Sequence, residues 1–408
     1  MKDIVVQKFG GSSVADAEKI KNVAKNVIRE KELGNDVLVV VSAMGKTTDG
    51  LVKLAREISE NPDPREMDML LSTGEGVSIA LLAMALQEMG YKAKSMNAMQ
   101  VGILTENIHQ NARIKEICTD KIREAFDNDE IVIIAGFQGI TEDNEITTLG
   151  RGGSDTSAVA LAGVLKAKRC DIYTDVDGIY TADPRVVPNA SMIKEISYGE
   201  MLEMARVGAK VLHPRSVETA QNFDIPIRVR STFHPENEGS LVTPAKNIEY
   251  VKHVRGVVAD KSQVRVVFSC VPDTPGIAAK LFRRLTEENI SVDMILQSYA
   301  RRQNKSNDIT FTLSEEDYKR AGDVLWKIRE EIGAIEVHIN EDIAKVSIVG
   351  AGMADQSGIA ATMFEAIAGI GVNIKMIATS EIKISCLVSR GEADRCVQAI
   401  CKAFDLEV

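Results

Sequence analysis

Between Thr148 and Ala158 the chain reads TLGRGGSDTSA. Arg151, Ser154, Asp155 and Thr156 stand there among glycines, after the apolar run IVIIAGFQG and ahead of the small-residue run SAVALAGVLKA. Glycines let backbone N–H groups come close to an anion, and a helix that follows turns its positive end toward it. A strand-to-helix turn of this composition reads as a seat for a phosphate or carboxylate. A second such turn, KFGGSS, puts Lys8 at the end of the first apolar run, just before Gly10, Gly11 and Ser12. Neither turn has the spacing G-x-x-x-x-G-K-[ST] or G-x-G-x-x-G, which sets aside a P-loop protein and the usual dinucleotide-binding unit. Taken alone, each turn is as readily a purely structural one.

Two further stretches add weight. YTDVDGIYTADPR (173–185) places Asp175, Asp177 and Asp183 in a segment broken by glycine and proline, directly after a strand-like run. Acids in such a loop are ordinarily just solvated. At the carboxyl end of a parallel strand, where open α/β sheets bind ligands, they suit a nucleotide or a magnesium-bound phosphate. Farther on, RVGAKVLHPR (206–215) offers Lys210 as a phosphate contact.

The elements that must position these residues alternate. DIVVQKF, DVLVVVSA, IVIIAGFQG, RCDIYTDV and IPIRVRS read as strands. Between them lie helical stretches: one opened by Ser12 or Ser13 and stopped by Gly34, one from about Asp49 to Ile58, and one from about Met67 to Met89. Continuous Val/Ile strands separated by helices imply a mostly parallel sheet buried on both faces, hence an α/β domain.

The chain has 408 residues and a net charge of −10. That length predicts two or three domains, and the charge disfavours nucleic acid as a partner. The six cysteines are scattered, without CxxC or zinc spacing, as in a reduced cytoplasmic protein. The five histidines are isolated, so no metal site is proposed from them. The N-terminus lacks a signal-peptide core, and no apolar run reaches about 18 residues, so no membrane span is expected.

FHPENEGSLVTPAKN reads as a linker, and beyond it the chain repeats itself. Residues 274–298 align with 356–380 without a gap, with Gly, Ile, Ala, Ala, Phe, Met, Ile and Ser coinciding. The first copy runs VRVVFSC, a helix over 276–288, SVDMILQS, DITFTLS, a helix over 315–332, then AIEVHI, a βαββαβ unit. The second runs AKVSIVG, a helix over 358–368, VNIKMIA, KISCLVS and a helix over 391–403, with only FDLEV left for a last strand. RGVVADK, at 255–261, is an orphan strand ahead of the first copy. It would complete the second unit, so the first unit is read as inserted into it. The expected domains are 1–245, 264–339, and 254–263 with 340–408.

KFGGSS, SAMGKTTD, STGE, GFQG, TLGRGGSDTSA, YTDVDGIYTADPR and VGAKVLHPR occur in the order found in one family. The chain closely resembles the aspartate kinases (aspartokinases) of the amino-acid kinase superfamily, over nearly its whole length. The paired C-terminal units look like that family's ferredoxin-like ACT domains. The resemblance implies an amino-acid-kinase-type α/β/α sandwich followed by two ACT domains. It also implies transfer of the γ-phosphoryl of ATP, with Mg²⁺, to the side-chain carboxylate of L-aspartate, the committing step toward lysine, threonine and methionine. By resemblance, Lys8 neutralises the moving phosphoryl and Gly10, Gly11 and Ser12 cradle it. Arg151 grips a substrate carboxylate, Gly153 and Ser154 hold the α-carboxylate, and Asp155 and Glu75 receive the α-ammonium. Thr47 adds a hydroxyl. Thr174, Asp175, Tyr180, Asp183, Arg185 and Lys210 match the ATP segment. Ser12 stands where many relatives carry threonine. Glu75 also fits a bland role, a first-turn acid meeting a helix dipole, and Asp177 fits a turn cap and is left outside the set.

In the family, amino-acid end products bind between ACT units. The ledges here would be Asp273, Gly276, Ile277, Ala278, Asp293 and Gln297 in the first unit, and Asn373, Ile374, Ser380 and Glu381 in the second. Solvated strand ends are the plain alternative for those acids. Lysine and threonine together are the expected effectors. A homodimer through the ACT units, or an overlapping two-subunit (α2β2) form, is the expected assembly. No methionine lies between Met204 and Met294, so a regulatory product started near the linker would need another start codon. The rivals are kinases of the same superfamily acting on glutamate, acetylglutamate or a nucleoside monophosphate, and a non-catalytic amino-acid sensor. The chain's end after the second unit points to a kinase without an appended dehydrogenase.

Overall fold

The computed structural model describes residues 2–248, 252–298, 306–353 and 356–408. Its contacts divide the chain into two units. The first is Met1–Tyr180 with Met192–Val251, and the second is Thr181–Ser191 with Lys252–Val408. The short segment 181–191 thus packs with the second unit, although its position in the sequence reads as part of the first domain.

The first unit is built on an eight-stranded sheet. Its order is Glu195–Ser197, Ser240–Thr243, Ile227–Ser231, Arg169–Thr174, Ile4–Phe9, Asp36–Val41, Ile131–Ala135, Ala93–Met96. Every neighbouring pair is parallel except Ile227–Ser231 with Ser240–Thr243. The central strands are Val/Ile-rich and largely buried, as helices on both faces require. A smaller sheet pairs Ile114–Ile117, Ile103–Thr105, Gln138–Ile140 and Ile146–Thr148.

Two local expectations are corrected in this unit. Ser12 and Ser13 lie in a 3₁₀ turn, Gly11–Val14, and the first long helix, Ala17–Glu32, is capped by Asp16, which accepts from Lys19 N at 2.9 Å. Ser13 is instead drawn inward to Thr232, 2.6 Å away. The helix expected over 67–89 is two, Pro64–Leu71 and Thr73–Glu88. The hydroxyls of Ser72 and Thr73 bond back to Met69 O and Leu70 O, and Gln138 Nε2 takes Ser72 O at 2.5 Å. Such back-bonding bends a helix, and here it coincides with the break. By length and composition Pro64–Glu88 suffices to cross a membrane, but half of its most apolar window is buried within the protein. Asp68 and Glu75 are among the buried residues of that stretch, which makes it a core element of the first unit.

The second unit is a six-stranded antiparallel sheet, ordered Ile295–Gln297, Ser306–Ser314, Gly256–Pro272, Glu336–Val349, Lys383–Val388, Met376–Ser380. Two long strands run through both repeats. Residues 256–260 of one pair with 345–349 of the other, and 265–269 pair with 336–340. The expected helix over 315–332 is interrupted at Gly322 (φ 36°) into Glu315–Ala321 and Val324–Ile332. The last residues do not extend this sheet: Glu407 bridges Ala190.

Candidate active site

Three glycine turns meet at the carboxyl ends of neighbouring parallel strands. Gly11 O accepts from Gly45 N at 2.9 Å, and a Cβ on Gly11 would sit 2.8 Å from Ala43 O, so the KFGG and SAMG turns touch backbone to backbone. A Cβ on Gly74 would sit 2.8 Å from that of Ala43, and one on Gly136 would sit 2.8 Å from Ser154 Cβ. The glycines are therefore needed for close approach, which brings the starts of helices Thr73–Glu88 and Gly153–Leu165 onto the same strand ends.

Lys8, near the end of strand Ile4–Phe9, points its ammonium at Asp155 in the first turn of helix Gly153–Leu165. Nζ lies 2.6 Å from Oδ1, with the side chains 12% and 13% exposed. That helix starts from Gly152 in the left-handed region (φ 69°), and no side chain caps it. An uncapped N-terminus beside a buried cation is a site for an anion. Ser154 is buried and Arg151 is exposed at the turn.

Glu75 is 3% exposed. Its Oε1 accepts from Ala43 N at 3.1 Å, and its Oε2 is buried without a partner. Burial pushes its carboxyl up to about 7, opposed by backbone hydrogen bonds. A buried acceptor left open in this way is a place for a ligand's cation. Thr47 opens helix Thr47–Ile58, with its hydroxyl on Met44 O at 2.6 Å.

A supporting layer was missed by reading the sequence. Asp68, wholly buried, accepts from Gln110 N at 3.0 Å and from Thr148 Oγ1 at 2.6 Å, and lies 2.8 Å from His109 Nδ1. It ties helix Pro64–Leu71 to the strand that leads into TLGRGG. Arg215 donates to Leu149 O at 2.6 Å, Ala112 O at 3.1 Å and Asn111 Oδ1 at 3.0 Å. His213 packs on Gly152 and caps helix Pro214–Phe223, accepting from Arg215 N at 3.3 Å. Burial lowers its pKa, which keeps Nδ1 free to accept. The HPR of VLHPR was the available signal, but the sequence reading singled out Lys210.

Of the nucleotide candidates, Thr174, Asp175, Tyr180 and Lys210 belong to the first unit, and Thr174 Oγ1 donates to Asp175 at 3.0 Å. Lys210 is exposed in the turn before His213. Asp183 and Arg185 belong to the second unit and bind each other, Nη2 to Oδ2 at 2.7 Å. Asp177 faces His234 at 2.9 Å. Among the described residues no cluster of three or more His, Cys, Asp or Glu side chains could hold a metal ion.

Comparison with known proteins decides the family. The amino acid kinase family matches residues 3–231, and an ACT domain family matches 264–327 and 346–404. The aspartokinase of Geobacillus stearothermophilus is 50% identical over 403 residues, 99% of this chain and 97% of that protein. The chain belongs to the aspartokinases. Escherichia coli aspartokinase III, solved with aspartate and ADP, superposes with a TM-score of 0.84 at 30% identity, covering 99% of this chain and 100% of that one. The same enzyme solved with lysine and aspartate gives 0.75 at 30% identity, covering 98% and 99%.

Within this aspartokinase-family chain the two candidate ACT ledges share one feature. Gly276 (φ 96°) and Gly358 (φ 102°) each open a helix that no side chain caps. Ile277 and Ala278 form the first turn of one. Asp273 accepts from Asn307 Nδ2 at 3.0 Å. Asp293 is paired with the buried Lys345, so its charge is already met inside the unit. Gln297 and Ser380 sit on the two edge strands of the sheet, and Glu381 is exposed in the turn after Ser380. Asn373 and Ile374 lie just before strand Met376–Ser380 rather than within it.

Proposed function

We propose that the chain transfers the γ-phosphoryl of ATP to the side-chain carboxylate of L-aspartate, giving 4-phospho-L-aspartate and ADP on the route to lysine, threonine and methionine. The observation that carries the reading is the Lys8–Asp155 pair at the uncapped start of helix Gly153–Leu165. A carboxylate oxygen attacks phosphorus as the bond from phosphorus to the β-phosphate oxygen breaks, and no proton changes hands. Two anions must be brought together, so the work is positioning and charge neutralisation. Lys8 spans the transferring phosphoryl, held by Asp155. Gly10, Gly11 and Ser12 line the phosphate side. Arg151 forks onto a substrate carboxylate, Gly153 and Ser154 hold the α-carboxylate, and Thr47 adds its hydroxyl. The open Glu75 Oε2 takes the α-ammonium. Thr174, Asp175, Tyr180, Asp183, Arg185 and Lys210 serve the nucleotide. Mg²⁺ would enter with the nucleotide and offset phosphate charge, since among the described residues no acid cluster is built to cage an ion.

The test is ADP release with ATP, Mg²⁺ and L-aspartate, with L-glutamate as control and hydroxylamine to trap the acyl phosphate. Aspartate-dependent release with a trapped hydroxamate is expected, and release with glutamate alone would overturn the assignment. Lysine and threonine, bound at the ACT ledges, are proposed to inhibit most when present together. A rate indifferent to both would remove that part. Assembly through the ACT units, as a homodimer or with an overlapping second subunit, goes with this reading, as does a cytoplasmic location.

Glu75 supplies a pH prediction. It must be ionised to take an ammonium, and its carboxyl titrates at about 7. KM for aspartate is therefore expected to fall as pH rises from 6 to 8, and in Glu75→Gln the slope should vanish with KM high throughout. The stability sign is opposite. A carboxyl raised in the folded state helps folding below its unfolded value of 4.5 and loses that advantage as pH climbs through about 7. Glu75→Gln should therefore be more stable than the parent at pH 8 by up to about 3 kcal/mol, and melt higher. An unchanged melting point and an unchanged KM slope would remove both arguments.

A further inference from the structure

The second unit holds a cavity of about 380 Å³ lined by none of the ledge candidates, a volume within the range of small-molecule sites. One wall is the turn Val186–Asn189, and the other is a single face of helix Ala393–Ala403, carrying Arg395, Gln398, Ala399 and Lys402. Those four are spaced i, i+3, i+4, i+7, so they form one continuous stripe. The two ends of the stripe differ. Arg395 is already engaged, on Glu392 and on Ile370 O at 3.0 Å. At the other end Lys402 and Glu407 line the same cavity, yet neither makes an ion pair with the other or with any described residue. Asn189, Ile370 and Ala399 line it as well, with Val187 almost wholly buried behind them.

We propose that this cavity binds a small zwitterion with an apolar tail, of the size of a free apolar α-amino acid. Its carboxylate meets Lys402, its ammonium meets Glu407, and its side chain lies along Ala399 between Val187 and Ile370. An unpaired acid and base lining the same cavity as apolar side chains complement such a head group and tail. Neither charge alone would select it.

Occupancy has a consequence built into the wall. The turn is closed by Val186 N and Val187 N on Asp183 O, at 2.8 and 2.9 Å. It is held to the helix by Gln398 Nε2 on Val186 O at 2.9 Å. The chain end staples it too: Thr181 Oγ1 and Ser191 N both donate to Leu406 O, and Val408 N donates to Asn189 O. A ligand between helix and turn therefore stiffens the segment that begins with Asp183 and Arg185. Under the proposed kinase function these residues serve the nucleotide, so occupancy should also shift KM for ATP. That last step rests on the proposed function, whereas the binding does not.

The test is calorimetric titration of the full chain with L-leucine, and with 4-methylpentanoate as the same skeleton lacking the ammonium, alongside amide exchange over residues 186–190. Leucine is expected to bind and to slow that exchange, and 4-methylpentanoate to bind at least about tenfold more weakly. Lys402→Met and Glu407→Gln, both exposed and so safe for folding, should each cost about tenfold in leucine affinity. Ala399→Trp should abolish binding by filling the channel. No leucine binding at millimolar concentration overturns the proposal. So does equal binding of the two probes, or affinity indifferent to all three substitutions. Leucine binding with exchange slowed at 186–190 but KM for ATP unmoved would keep the site and count against the kinase role given to Asp183 and Arg185.

Discussion

Lys8→Met is expected to lower kcat by about three orders of magnitude, the scale of losing one preorganised charge at a transition state, while KM for aspartate moves little. The lysine sits on neither partner's recognition groups in the proposed arrangement. It neutralises charge that is greatest when the phosphoryl is between two oxygens, and a contact made only then appears in kcat. The substitution also strips the counter-ion from Asp155, whose side chain is 13% exposed. An orphaned buried partner costs about 3 kcal/mol, so the variant should melt lower. Lys8→Met/Asp155→Asn separates the two effects: stability should largely return while turnover stays lost. Steady-state kinetics and thermal melts on the three variants check this. A single mutant that keeps a tenth of the parental kcat would remove Lys8 from the chemistry.

Gly152→Ala is expected to cost about a hundredfold or more in turnover, although the added group is one methyl far smaller than any substrate. Two terms add. Gly152 has φ 69°, where a Cβ costs about 1 kcal/mol. The new Cβ would also fall 2.2 Å from His213 Cγ and 2.3 Å from His213 Cβ. The ring has little freedom to retreat. It caps helix Pro214–Phe223 through Arg215 N, and Arg215 is itself bonded to Leu149 O, just before the turn, and to Ala112 O in another segment. The turn must therefore move, and it carries Arg151, Ser154 and Asp155. Pairing the change with His213→Ala should recover part of the activity by removing the clash, leaving the φ penalty. Melting temperatures and aspartate kinetics on the single and double variants decide it. A single variant with parental kinetics would show that the turn does not need its present geometry.

Much of this site was legible because its parts are local. Glycine spacing marked the turns, strand-like runs marked what precedes them, and Lys8, Arg151 and Asp155 stand beside those turns in the sequence, whereas Glu75 entered the candidate site only through the family resemblance. The gapless repeat likewise exposed the two ACT units. What was misread locally had a tertiary cause. Ser12 and Ser13 are good capping residues, but Ser13 is committed to Thr232 and the cap passes to Asp16. Where the long apolar helix is divided, the local back-bonding of Ser72 and Thr73 is joined by Gln138, from another part of the chain, which takes the Ser72 carbonyl.

By itself the sequence determined which residues carry charge, which turns admit a backbone close to an anion, and the order of strands and helices that sets those turns at strand ends. Only the tertiary structure decided the partnerships: Lys8 with Asp155, Asp68 with Thr148 and His109, His213 against Gly152, and Thr181–Ser191 with the second unit. The physical reason is range. Propensity, glycine freedom and hydrophobic period act over a few residues, whereas an ion pair or a buried acceptor is satisfied by whatever the sheet order brings alongside, however distant in the chain.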